Sequence, residues 1–102
     1  MKDADHRREA DLPRPIDTSG QRLSPELMQL TELMAENAHN VWMQARLRDG
    51  WRWGPERSDA RRETPCLIPY DELPDSEKAY DRDMAVETLK LIQHLGFDIV
   101  PR

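Results

Sequence analysis

Six residues within one short stretch carry the side chains best suited to hold a ligand: His39, Trp42, Arg46, Trp51, Arg52 and Trp53. The chain has three Trp against one Phe and two Tyr, so its aromatic area is concentrated there. An indole face stacks on a planar base, and a guanidinium beside it donates to phosphate in a fixed fork, which together suit an adenine-type nucleotide. The competing use is core. Tryptophan supplies large buried area to a small domain, and at least one of the three is expected to serve only that purpose.

His39 has Glu36 three residues before it, close enough on a helix to orient a ring nitrogen. As a general base it would need a nucleophile or an electrophile stabiliser nearby, and the sequence offers none. The structural use of His39 is a hydrogen bond to a backbone carbonyl of a loop beyond the helix. No second His or Cys stands at a ligand spacing, so neither a metal nor a cofactor is expected. Cys66, the lone cysteine, lies between a proline and aliphatic residues and reads as a small buried hydrophobe. A non-catalytic chain is the expectation.

The elements that position these groups follow from the local pattern. Ser24-Pro25-Glu26 starts a helix, with a side-chain cap, a proline at the first position and an acid near the positive end of the dipole. That helix is expected over about 25–48, stopped by Gly50, with Leu27, Leu30, Met34, Ala38, Val41 and Ala45 as its apolar stripe. Ala35, His39, Trp42 and Arg46 form a second row on the adjoining face, which makes His39 and Trp42 neighbours one turn apart. Gly50-Trp51-Arg52-Trp53-Gly54 reads as a short strand or tight loop, and Cys66-Leu67-Ile68 as a segment that pairs with it or packs beside it. A second helix over about 75–95 opens with Asp75 as its cap and ends at Gly96, after which Phe97 to Val100 alternate as a last strand. Leu30, Met34, Val41, Leu89, Ile92 and Leu95 are expected to be buried where the helices cross.

The chain is 102 residues long, enough for a single modest core. Residues 1–11 read as a mobile tail and 12–102 as one domain, in which Leu12-Pro13-Arg14-Pro15-Ile16 is an extended strap against the core. The fold class is mainly α with short β segments. A net charge of −5 argues against nucleic acid as a partner, since phosphate neutralisation needs an excess of Lys and Arg. The charge is segregated: six Arg lie within residues 44–62 and seven acids within 71–87, which reads either as mutual neutralisation or as a local anion site. No run is apolar enough for a membrane span or a signal peptide, so a cytoplasmic protein is expected.

Leu33-Met34-Ala35-Glu36-Asn37-Ala38-His39-Asn40-Val41-Trp42, then Arg46-Leu47 and Gly50-Trp51-Arg52-Trp53-Gly54-Pro55, resembles the RyR domain of ryanodine receptors. Pro65-Cys66-Leu67-Ile68-Pro69-Tyr70, Leu73-Pro74, Glu77-Lys78, Glu87-Thr88-Leu89-Lys90 and Leu95-Gly96-Phe97 continue the likeness across most of residues 12–100. It departs at Thr64, where the receptors often have histidine. The resemblance implies two main helices trimmed by short strands, and a recognition role without catalysis. It also implies that Trp42, and less directly Arg46, contact the base of an adenine nucleotide. In the receptors the domains occur as tandem pairs, so this sequence, holding one copy, is expected to form a homodimer with the site near the two-fold axis. The alternative is a structural interaction domain that docks a protein partner in a larger assembly.

Overall fold

The computed structural model describes residues 12–102; the expected mobile tail, 1–11, lies outside the described residues. The order is α1 (Pro25–Arg48), β1 (Arg52–Trp53), β2 (Glu63–Thr64), a 3-10 turn (Tyr70–Glu72) and α2 (Asp75–His94). The chain is therefore mainly helical with a minimal sheet. At the start of α1 the Leu27 amide donates to the Ser24 hydroxyl at 3.2 Å, with Pro25 in the first turn where its missing N–H costs nothing. Gly50, at φ +88°, takes the chain out of the helix through a conformation that favours glycine. α2 starts differently from expectation. Pro74 holds the cap position, so Asp75 is the first helical residue, and its carboxylate and that of Glu77 favour the positive end of the dipole.

The helices pack through a stripe rotated from the expected one. α1 buries Leu27, Thr31, Ala35 and His39, and α2 buries Ala85 and Leu89. Of the six residues assigned to the crossing, only Leu89 is buried. Met34 is half-buried, while Val41 (61% exposed) and Leu95 (60%) stand largely in solvent and Leu30 (47%) and Ile92 (37%) are partly exposed. Two alanines and a threonine at the contact let the backbones approach closely, and larger aliphatic side chains at those positions would hold the helices apart.

The core is completed by the connection between β2 and α2, where Ala35, Tyr70 and Leu73 are buried together and Cys66 and Ile68 pack against them. A bidentate pair fastens the layers. Arg82 on α2 donates to both oxygens of Glu32 on α1, at 2.6 and 3.0 Å, and the Tyr70 hydroxyl donates to the same carboxylate at 2.7 Å. The strap lies along α2, with Pro15 and Ile16 lining a shallow groove beside Glu87 and Leu91. Its anchor is not aliphatic: Leu12 and Ile16 remain exposed, whereas Thr18 is buried and donates to Glu87 at 2.8 Å.

β1 pairs with β2 in parallel, Arg52 opposite Glu63 and Trp53 opposite Thr64. The Trp segment thus meets the residues just before Cys66-Leu67-Ile68 instead of those three. The short link is closed by reciprocal Ser58 and Glu63 amide-to-carbonyl bonds, both 2.9 Å, and Arg62 adopts the left-handed conformation at φ +54°. Its guanidinium donates to the Asp49 carbonyl at 3.0 Å, placing a cation at the C-terminal end of α1. Phe97 to Val100 form no strand and are left as irregular chain after Gly96.

Candidate functional site

The second row of α1 builds the site. His39 is buried, and its Nε2–H donates to the Ile68 carbonyl at 2.8 Å, as expected for a structural histidine. A carbonyl can only accept, so the proton sits on Nε2 and a neutral ring leaves Nδ1 bare. One turn on, Trp42 stacks on His39 with ring centroids 5.5 Å apart and planes 22° from parallel. One further turn on, the Arg46 guanidinium lies 5.6 Å from the Trp42 ring centre. His39 and Arg46 are seven residues, about 10.5 Å of helix rise, apart, so they flank the indole from opposite sides.

The chain then folds back over its own helix end. The Trp51 amide donates to the Arg46 carbonyl at 2.9 Å, which brings Trp51 over Arg46 with the guanidinium 4.6 Å from the ring centre. Arg57 approaches the same indole at 5.8 Å. At the other end Tyr70 lies 6.2 Å from His39, and Lys78 stands 5.5 Å from the Tyr70 ring. The result is a ladder in which aromatic rings and cations follow one another from Lys78 to Arg57, each cation attracted to the negative face of a ring.

Beside this ladder opens a cleft of about 480 Å³, within the size range of small-ligand sites. His39 and Trp42 supply the α1 wall, and Thr64, Pro65 and Cys66 the β2 side. Glu77, Tyr80 and Asp81 supply the α2 wall, with Arg57 at the rim. Thr64, at the position where the sequence departs from the receptors, is buried, and its hydroxyl accepts from the Cys66 amide at 3.2 Å, which sets the turn that carries Cys66 into the wall.

Of the six residues singled out from the sequence, His39 and Trp42 therefore line the cleft, and Arg46 and Trp51 stand behind it in the ladder. Arg52 and Trp53 on β1 are exposed, outside the cleft lining. The cationic group at the cleft is Arg57, which no spacing rule marked, because the link between β1 and β2 brings it back over Trp51. Tyr80, Glu77 and Asp81 join the site through the packing of α2 beside α1, which no local spacing gives. The two charged segments do not neutralise each other in the ion pairs of the described residues: two of the six Arg pair with near neighbours in the chain, Arg57 with Asp59 at 3.0 Å and Arg61 with Glu63 at 3.2 Å.

Two titrating groups near the core are displaced. The Glu32 carboxyl is held below its ordinary value, first by the Arg82 hydrogen bonds and then by Tyr70. Burial, and then the hydrogen bond to Glu32, pushes the Tyr70 hydroxyl up to about 12. Neither lies in the cleft; both belong to the joint between the helices. Among the described residues no group of three or more His, Cys, Asp or Glu is arranged to hold a metal ion, and no helix is long and apolar enough to cross a membrane.

A two-helix frame with a mixed aromatic and charged cleft, and broad apolar surface outside it, defines a small recognition or interaction module. Residues 11–101 match the family model of the RyR domain, nearly the whole sequence, and the chain belongs to that family.

Proposed function

We propose that this protein is a non-catalytic recognition module, working as a homodimer, whose cleft takes an adenine-type nucleotide. The observation that carries the reading is the combination in one cleft of an exposed aromatic ring, Tyr80, an indole, Trp42, and a guanidinium, Arg57. The faces of Trp42 are engaged by His39 and Arg46, so the base stacks on Tyr80 and meets Trp42 at its edge. Arg57, whose Nε–H donates to Asp59, offers its terminal nitrogens to phosphate beside Trp51, while Glu77 and Asp81 accept from the exocyclic amine or the ribose hydroxyls. Arg46, locked between two indoles, positions Trp42 and adds positive potential. His39 ties α1 to the connection before α2 through its Nε2–H bond to Ile68, a structural use of the ring that fits a recognition module.

A thermal-shift titration with adenine nucleotides and adenosine tests this. A ligand at a hundred times its Kd adds about 2.7 kcal/mol to folded stability, which raises the Tm of a domain this size by roughly 10–20 °C. Tyr80→Ala should weaken nucleotides and adenosine alike, by roughly 1–3 kcal/mol. Arg57→Ala should weaken only the phosphorylated ligands. No shift with any adenine nucleotide at millimolar concentration would refute the ligand, and turnover of ATP abolished by His39→Ala would refute the non-catalytic reading. The second reading, a domain that docks a protein partner, is favoured by the aliphatic side chains left bare on α1 and by exposed Met84 and Phe97.

A further inference from the structure

α1 buries one stripe against α2 and leaves the opposite one bare. On the bare side Leu30, Leu33 (64% exposed), Val41 and Leu47 (59%) all stand in solvent among the described residues, with Asn37, Asn40 and Gln44 between them. Asn37, Asn40, Val41, Gln44 and Leu47 line one shallow groove along this face. Positions 30, 33, 37, 40, 44 and 47 alternate steps of three and four along most of a helix about 36 Å long, which is the seam of a helix pair.

The seam is complementary to its own reverse. Setting Asn37 against Asn40 of a second copy places Leu30 opposite Leu47 and Leu33 opposite Gln44, and the two-fold repeats each contact. Aliphatic side chains then close both ends, and two amide pairs at the centre fix the register, as a buried Asn does in coiled coils. The charges choose the direction. Glu26, in the first turn, comes within about one turn of Arg48 of the second copy, in its last turn, and symmetry supplies that pair twice. A parallel arrangement would set Glu26 against Glu26 and Arg48 against Arg48. Antiparallel helix dipoles favour the same choice.

We propose that the outer face of α1 is the dimer interface and that its occupant is α1 of a second copy, antiparallel, with Asn37 meeting Asn40. This rests on the homodimer reading above and gives it a location. It also moves the clefts: His39 and Trp42 lie on the other side of α1, so the two ligand sites face away from the axis instead of meeting at it.

Sedimentation velocity on the full chain at micromolar concentration tests the interface, with circular dichroism to confirm that each variant is folded. The wild type is expected to be dimeric, and Leu33→Glu to raise the dimer Kd by about tenfold or more, by burying a charge without a partner. Glu26→Lys and Arg48→Glu should each weaken the dimer by roughly threefold, and the double variant should restore it. A wild-type dimer indifferent to Leu33→Glu, or single charge variants not rescued by the double, would overturn this face while leaving the homodimer standing. A monomer at all concentrations would overturn both, and neither result bears on the nucleotide, which the thermal titration reads separately.

Discussion

Leu89→Ala is the substitution that most directly tests how the helices meet. Leu89 is 6% exposed and stands at the contact between α2 and α1, so truncation removes three buried carbons. At about 0.8 kcal/mol per buried methylene the lost transfer free energy is about 2.4 kcal/mol, and a residual cavity adds to it. No large side chain is completely buried among the described residues, so the neighbours can close part of the gap. The expected loss is about 2.5–3.5 kcal/mol, in the lower half of the range for such changes, or roughly 10–25 °C in Tm. Leu95, 60% exposed, is the internal control: with about two-fifths of its surface withdrawn from water and no cavity to leave, Leu95→Ala should cost about 1 kcal/mol. Urea unfolding followed by circular dichroism, at one fixed protein concentration so that the two variants are compared under the same mass action, measures both. Equal losses, or a Leu89→Ala loss below about 1 kcal/mol, would refute the packing stripe argued from small residues.

Ala35, with no exposed surface and Tyr70 and Leu73 against it, leaves no room for growth, so Ala35→Leu should destabilise by roughly 1–3 kcal/mol in the same urea experiment. At Gly54 an added Cβ would stand 2.7 Å from the Glu63 Cβ, an atom the β2 backbone holds in place. Gly54→Ala should therefore disturb the β1–β2 pairing, read as faster amide hydrogen exchange at Arg52 and Gly54 with α2 unchanged. Stability should fall on both sides of neutrality. The raised Tyr70 makes a contribution that is complete below about pH 10 and lost as pH rises through about 12, and Tyr70→Phe should flatten that limb of the urea midpoint. The lowered Glu32 makes one that is complete above the ordinary carboxylate range and lost as pH falls through its folded value, so Glu32→Gln should flatten the acid limb.

Much of this architecture is written in local signals. Ser24-Pro25 and Gly50 bound α1 because capping and left-handed exit are decided within a few residues, and the row of His39, Trp42 and Arg46 follows from helical spacing. Periodicity misplaces the buried stripe because it ranks residues by hydrophobicity, whereas this crossing selects for small volume. Thr31 and Ala35 allow approach, so Leu30 and Val41 are turned outward. The prolines announce the extended strap but not its anchor, which is one hydroxyl, Thr18 to Glu87, a pairing 69 residues apart that no local pattern encodes. Phe97 to Val100 alternate like a strand, yet alternation supplies no partner, and without one the segment stays irregular. Arg57 was invisible because its place depends on a link that returns β2 in parallel with β1 and on a left-handed Arg62. The cleft's second wall, on α2, needed the helix packing before its members could be grouped.

The ladder of rings and cations also makes the chain its own optical reporter. Trp42 and Trp51 are its two indoles, each held against a polar or charged neighbour, whereas Trp53, 55% exposed, stands outside the cleft lining. Emission from Trp53 is then a constant long-wavelength background, and any change in intensity on mixing arises from the pair beside the cleft. A Trp53→Phe chain removes the background and leaves two emitters, one lining the cleft and one behind it, so that filling the cleft can be read from the protein's own fluorescence without a label.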